Sequence, residues 1–475
     1  MTSKPHKASL VLLCALFLLV VYRAKTQSLT IDEARTFTLY VDKPLSEMTR
    51  FYDACNHVLH TLLTKFFRAR LGYSELVLRL GSLAGCLIYF GAVLRSARLL
   101  FGERWMQTLV VAVLTLNPLV LDFMVAARGY GLALGLFWWA LYYLLRMVRD
   151  EAEPPLLWRL GVLAGLCAAA NLTFLVPIAA LSFVLTITAW RRGFWRKLDQ
   201  FAGPAIVIAF LLLILPLARA ERDNFYVGES TWRQAVATLV GSSFGYAPER
   251  AIAPGEAFRA AISDTAIPYL FFSLMIGASV ALLAGVRSRY GWSDFTVLAS
   301  ILGLCAAGLT GLRHVAGVLY PYSRTGLYLV PLFTLTLVLA VDGLRTYRVF
   351  RYGSYGICGL LTMAYLVQMD TRYFAEWRYD AGTSRLMARL ASDHAVKKSP
   401  ERVRVAVSYF LEPSTSFYRK RKRLSWMEPI QSQHFEDKPY DYYVLLTDDA
   451  WVVEKLHLRV LYADAVSGSV LAVRS

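Results

Sequence analysis

The chain has 475 residues, 56% of them hydrophobic and 18% charged, with a formal net charge of +17. A soluble domain carries about 25% charged residues; here the charges cluster and leave apolar windows long enough to cross roughly 30 Å of hydrocarbon. That excludes an ordinary soluble globule, and the recurrence of the positive charge in alternate short loops assigns it to membrane topology rather than to nucleic acid.

The first window, Ala8 to Tyr22, follows Lys4 and Lys7 as a secretory signal would. The sequence Tyr22-Arg23-Ala24-Lys25 offers no small-x-small cleavage site, so the window reads as a retained helix. With the amino terminus in the cytoplasm, residues 25–72 lie outside. A second crossing near Leu76 to Leu94 returns to a basic loop holding Arg95, Arg98 and Arg104. Crossings at Gln107–Phe123 and Gly129–Leu145 lead to Arg146 and Arg149.

The stretch Leu156 to Trp190 is too long for one crossing and is interrupted at Asn171 and Pro177, so it splits in two before the basic loop Arg191 to Lys197. Further crossings are expected at Phe201–Ala218, 267–286, 295–311, 325–341 and 353–368, with an outside loop over 219–265. A count of about eleven keeps each strongly basic loop cytoplasmic, including Arg287 with Arg289 and Arg345 with Arg348 and Arg351.

The expected fold is therefore an all-α polytopic membrane domain over 1–369 and a small extracytoplasmic α/β domain over 370–475. In the latter, Val403 to Phe410 and Tyr440 to Thr447 read as strands, and Gly382 to His394 as a helix. The basic run Arg419 to Arg423 reads as a solvated face, or as a contact for anionic headgroups or a charged glycan. Cys14, Cys86, Cys167, Cys305 and Cys358 fall in apolar windows, which supports neither a disulfide framework nor a thiolate metal site.

The predicted crossings have almost no ionisable groups at their centres, where a coupled transporter often places one. Four polar clusters stand instead at the outside interface. Asp32 and Glu33 follow the first helix; a carboxylate there could take a proton from an acceptor hydroxyl, although the bare residues better fit a helix amino-terminal cap with Thr30 or Asp32. Asp53, Asn56, His57 and His60 open an amphipathic helix, and the two histidines, three apart, therefore share a face; hydrogen bonding to a phosphate or a neighbouring loop fits better than zinc. Asp122 and Arg128 either coordinate a divalent cation and phosphate oxygens or pair with each other across a tight hairpin. Arg313, His314 and Arg324 could neutralise a phosphate leaving group, beside an aromatic belt of Tyr320, Tyr322 and Tyr328.

In order, `TIDEA`, `CNHVLHTLLTKFF`, `GYSELVLRLGSLAG` and `LTLNPLVLDFMVAARGYGLALGLFWWALYYLL`, with the later `SRTGLYLVPLF`, resemble the polytopic GT-C glycosyltransferases, in particular bacterial relatives of protein mannosyltransferases and of the aminoarabinose transferase of lipid A. The resemblance covers roughly residues 10–190. It departs from many relatives at Val58 and Leu59, where they carry two prolines.

The resemblance implies an inverting transfer of sugar from a polyprenyl phosphate to an envelope glycan, lipid or protein at the outer face of a bacterial inner membrane. Asp32 would be the catalytic base with Glu33 its companion, and Asp32 and Asp122 would hold a divalent cation, Mg or Mn. Arg128, His57, Arg313, His314 and Arg324 would bind the donor phosphate. No nucleotide cofactor or nucleic-acid partner is expected. The competing readings are a flippase for a lipid-linked glycan and a non-catalytic scaffold of envelope assembly.

Overall fold

In a computed structural model of the chain, residues 6–48, 50, 52–149, 156–221, 227–244, 293–344, 347–397, 402–430, 435 and 440–474 are described. They form two compact units: Met1–Val20, Phe51–His60 and Gly81–Met369 make the first, and Val21–Arg50, Thr61–Leu80 and Asp370–Ser475 the second. The expected crossing at 267–286 and the basic residues Arg287 and Arg289 lie outside the described residues.

The first unit is helical. Among the described residues the chain has six helices long and apolar enough to cross a membrane, seven if a bent pair counts as one span, and two shorter apolar helices, Leu157–Ala170 and Leu329–Asp342. It is an integral membrane protein. Helix Asp199–Leu217 shows why: Ile206, Val207, Phe210, Leu211 and Leu215 are all exposed along it, a surface that water would not support but hydrocarbon would. The expected last crossing is the helix Arg348–Gln368, which does not reach the same apolarity.

Two interruptions shape the core. The expected third crossing is two helices, Arg104–Thr115 and Pro118–Val125, bent by 65°. Pro118 cannot continue the first helix but suits the first turn of the next, where Asn117 caps the Val120 amide at 3.2 Å. The long stretch after Leu156 breaks at Asn171, as expected, into Leu157–Ala170 and Leu175–Arg191. Pro177 interrupts nothing, because it falls in the first turn of the second helix, where its missing amide costs no hydrogen bond.

Small residues permit the close packing. Gly161 and Gly165, one turn apart, meet the backbone of helix Asp199–Leu217 so closely that added Cβ atoms would lie 2.2 Å from the Phe201 carbonyl oxygen and 2.8 Å from that of Ala205.

The second unit holds a sheet of β1 (Val405–Val407), β2 (Tyr442–Leu445), β3 (Leu458–Ala463) and β4 (Val470–Arg474), in the order β1-β2-β4-β3. β1 pairs in parallel with β2, while β4 runs antiparallel to both β2 and β3. Ala406, Tyr443, Leu445, Val452, Leu458 and Ala472 form a core on this sheet. The expected strand 403–410 is shorter because the chain turns into a 3-10 helix at Tyr409–Leu411.

The basic run is not simply a solvated face. It ends the helix Glu412–Arg421, where Arg419 donates to the Met427 carbonyl at 2.7 Å, Lys420 pairs with Asp42 and Arg421 pairs with Glu75.

Candidate functional site

The first unit encloses a cavity of about 450 Å3. Its polar lining includes Tyr52, His57, Arg128, Tyr130, Asn171, Thr173, Arg324 and Tyr328, and its apolar wall includes Leu175, Val176, Leu309 and Leu312. Each polar group is placed by a local feature of the chain.

His57 belongs to the segment just before the helix Val58–Leu71, so it does not share a helical face with His60. The two rings diverge. His60 Nε2 hydrogen-bonds Ser82 Oγ at 3.0 Å, and Ser82 in turn donates to the Ala126 carbonyl at 2.6 Å. His57 faces the cavity with its ring edge against Tyr130, centroids 5.0 Å apart. Burial, then the charge of Arg128, the neighbouring His60 and the charge of Arg324, hold the His57 imidazole well below its usual pKa.

Arg128 is extended and caps the helix Gly129–Val148; it is buried, and its Nη1 donates to the Cys55 carbonyl at 3.2 Å. Gly129 is required beside it, because a Cβ there would lie 1.8 Å from the Ala170 carbonyl oxygen and 2.8 Å from His57 Cβ.

Arg324 sits in the 3-10 turn Ser323–Gly326. Ser323 adopts a left-handed φ of 38°, unusual for a residue with a side chain, and is fixed by its amide on Thr238 Oγ1 at 3.1 Å and its hydroxyl on Ser242 at 2.7 Å.

Arg313 and His314 do not line the cavity. They lie in the last turn of helix Asp294–Ala316, one and two residues past Leu312, and so point about 100° and 200° around the axis from it. Arg313 Nη1 donates to the nearby Gly317 carbonyl at 3.4 Å, and His314 is exposed. Asp122 is buried in helix Pro118–Val125 and is not a lining residue either.

Asp32 and Glu33 belong to the second unit. Thr30 caps the helix Ile31–Thr36 in a reciprocal capping box: its hydroxyl accepts from the Glu33 amide at 3.3 Å, and Glu33 Oε2 accepts from the Thr30 amide at 2.9 Å. Glu33 is also gripped by Arg79, with Nε on Oε1 at 2.8 Å and Nη2 on Oε2 at 2.7 Å, both side chains fully buried. Arg79 further donates to the carbonyls of Ala24, Gln27 and Ser28, at 3.2, 2.9 and 2.9 Å. Glu33 is thereby an anchor for the turn that carries Asp32, and the cap reading of this segment holds for Thr30 and Glu33. Asp32 is the partly exposed member of the pair.

Asp380 completes the anchor. Its carboxylate accepts from the Ile31 amide at 2.6 Å, Ser414 Oγ at 2.6 Å and Thr383 Oγ1 at 3.2 Å. Burial pushes its pKa up to about 7, against the lowering effect of those hydrogen bonds.

Among the described residues no three His, Cys, Asp or Glu side chains gather to hold a metal ion. Of the expected joint ligands, Asp32 belongs to the second unit and Asp122 to the first.

Sequence reasoning missed Arg79, Asp380, Tyr52 and the polar role of Asn171. Arg79 carried a signal, since an arginine inside `LVLRLG` at the mouth of a membrane helix is too costly to leave unpaired. Asp380 carried none.

No family model matches the chain, and no curated protein matches it in sequence. Among solved structures it is similar to ArnT from Cupriavidus metallidurans bound to undecaprenyl phosphate, with 17% identity, 98% of each chain covered and a TM-score of 0.46. The apo state of that protein matches with the same values. An oligosaccharyltransferase from Archaeoglobus fulgidus, in complex with zinc and sulfate, matches at 10% identity over 98% of this chain and 73% of that one, with a TM-score of 0.43.

Proposed function

We propose that this protein is an inverting glycosyltransferase that moves a sugar from a polyprenyl-phosphate donor to an envelope glycan, lipid or protein. The observation that carries this reading is the cavity of the first unit, where Arg128 and Arg324 stand beside His57 and an apolar wall. That combination suits a molecule with one anionic group and one long apolar part, in a chain whose motifs resemble GT-C enzymes.

In this reading the acceptor hydroxyl oxygen attacks the anomeric carbon, the bond from that carbon to the phosphate oxygen breaks, and polyprenyl phosphate leaves with the bonding pair. Arg128 and Arg324 stabilise the negative charge that grows on the phosphate. Asp32 takes the proton of the attacking hydroxyl, while Glu33, held by Arg79 and Thr30, fixes the turn that presents it. We assign the amino terminus to the cytoplasm and residues 370–475 to the outer face of a bacterial inner membrane, on the alternation of basic loops.

The test incubates the purified chain with radiolabelled polyprenyl-phosphate sugars and detergent-solubilised envelope acceptors. Asp32→Asn should lower kcat by roughly 10² to 10⁴-fold, the scale of general-base assistance, with donor binding unchanged. A well-folded variant that transfers at the parent rate removes Asp32 from the mechanism, and a parent chain that turns over no donor removes the enzyme reading in favour of a flippase or scaffold.

A further inference from the structure

The segment that leads into Asp32 is tied, nearly residue by residue, to the region 370–475. Gln27 Nε2 donates to the carbonyls of Thr371 and Tyr373, each at 3.0 Å. Ser28 Oγ donates to the Ala381 carbonyl at 3.0 Å and accepts from the Ser384 amide at 3.2 Å. The Leu29 amide donates to Tyr418 Oη at 2.9 Å, and the Ile31 amide to Asp380 Oδ2 at 2.6 Å. These partners lie 344 to 389 residues further along the chain.

The last two contacts act on the backbone that carries Asp32. The first N–H groups of a helix have no partner within it, and Ile31 is the first residue of the helix Ile31–Thr36, with Asp32 the second. Asp380 supplies the missing acceptor one residue before Asp32, and is itself held by the hydroxyls of Ser414 and Thr383 on Oδ1. Tyr418 is fully buried, and its hydroxyl donates to Glu75 Oε1 at 3.1 Å while Glu75 pairs with Arg421. Asp32 therefore stands between two held neighbours, Ile31 by its amide and Glu33 by its carboxylate, and is itself partly exposed.

Burying a carboxyl group is costly unless it is hydrogen-bonded, and Asp380, 1% exposed, gives both its oxygens to this support. A general base has to meet its proton within about 3 Å, and a misplacement of about 1 Å can cost about 10²-fold in rate. A rigid mounting of the residue beside Asp32 has that chemical reason. Resting on the glycosyltransferase reading, in which Asp32 is the base, we propose that Asp380 and Tyr418 are positioning residues for Asp32. Through the Ile31 and Leu29 amides the region 370–475 sets where the Asp32 carboxylate stands, and so governs the chemical step rather than donor binding.

The test uses three variants of the full chain. Tyr418→Phe removes one oxygen, Asp380→Ala removes the acceptor of the Ile31 amide, and Asp380→Asn keeps an oxygen able to accept from it. Each is made in the parent and in the Asp32→Asn chain. Transfer from radiolabelled polyprenyl-phosphate sugars to detergent-solubilised envelope acceptors gives kcat, and titration with bare polyprenyl phosphate gives Kd. Tyr418→Phe and Asp380→Ala should lower kcat roughly 10- to 100-fold, with Kd within about twofold of the parent, and Asp380→Asn should recover most of the loss. In the Asp32→Asn chain neither should lower the residual rate further, because the group they position is gone, whereas a general loss of structure would lower it again. Scanning fluorimetry identifies the folded variants, and Tyr418→Phe, a change of one atom, decides the matter where Asp380→Ala does not fold. Parent-like kcat in the folded variants, a Kd that weakens in step with kcat, or losses that multiply in the Asp32→Asn chain overturns the proposal. An Asp32→Asn chain that transfers at the parent rate overturns instead the assignment of Asp32 as base, a result distinct from the other three.

Discussion

Replacing Arg79 by methionine tests whether the turn bearing Asp32 is held by a buried ion pair. The guanidinium makes five hydrogen bonds, two to Glu33 and one each to the carbonyls of Ala24, Gln27 and Ser28, and neither charged side chain has any exposed surface. Methionine fills much of the same volume but leaves the Glu33 carboxylate buried without its counter-charge. Breaking a buried pair from one side costs about 3–5 kcal/mol, and in a cooperative unit of 150–250 residues about 2–4 °C of Tm accompanies each kcal/mol, so a fall of about 6–20 °C is expected. The double variant Arg79→Met/Glu33→Met removes both charges and should lose less than the two single variants together, because no charge is stranded. Scanning fluorimetry of the detergent-solubilised chain gives the Tm, and limited proteolysis of the 370–475 region reports whether the second unit is the part that opens. Because the pair is buried, the shift should be nearly the same at low and high salt. An Arg79→Met chain within about 2 °C of the parent, or single losses that simply add in the double variant, would refute the anchor.

Asp380 predicts a pH dependence in the same unit. Its folded-state pKa of about 7 lies above the ordinary 3.8, so between those values the folded chain holds a proton that the unfolded chain has released. The stability it contributes is complete below the lower value and is lost as pH rises towards 7, and Asp380→Asn should flatten that slope in Tm measured from acid to neutral pH; parallel curves for parent and variant would contradict it. Gly129→Ala should abolish accumulation of folded protein, since the new Cβ would fall 1.8 Å from the Ala170 carbonyl oxygen, whereas Gly203→Ala, with nothing within 4 Å, should be tolerated. Fluorescence-detected size exclusion of tagged variants distinguishes the two, and a monodisperse Gly129→Ala protein would show that the close approach is dispensable.

Much of the membrane architecture is legible from local sequence. Apolar windows give the helices, Asn117-Pro118 and Asn171 hold the chemistry that breaks them, and `TIDE` contains both partners of the capping box. The same local reading overcounts what Pro177 does, because its effect depends on whether it falls in a helix's first turn or its interior. It also finds only two of the four strands, since β3 and β4 are runs of 6 and 5 residues whose partners are each other and β2.

The site divides along the same line. Sequence alone singled out His57, Arg128 and Arg324, which share the cavity, but it grouped Arg313 and His314 with them because separation along a chain does not reveal which way a helix turns its side chains. Only the tertiary structure joined Arg79 to Glu33 across 46 residues, Arg128 to the Cys55 carbonyl across 73, and Asp380 to the Ile31 amide across 349. Hydropathy and backbone propensity are properties of neighbouring residues, so a sequence window can establish that a segment is helical, apolar or broken. Whether a buried polar group is satisfied depends on the partner that folding brings to it, and that is why Glu33 became an anchor and the Asn171 amide nitrogen was left without a hydrogen-bond partner among the described residues.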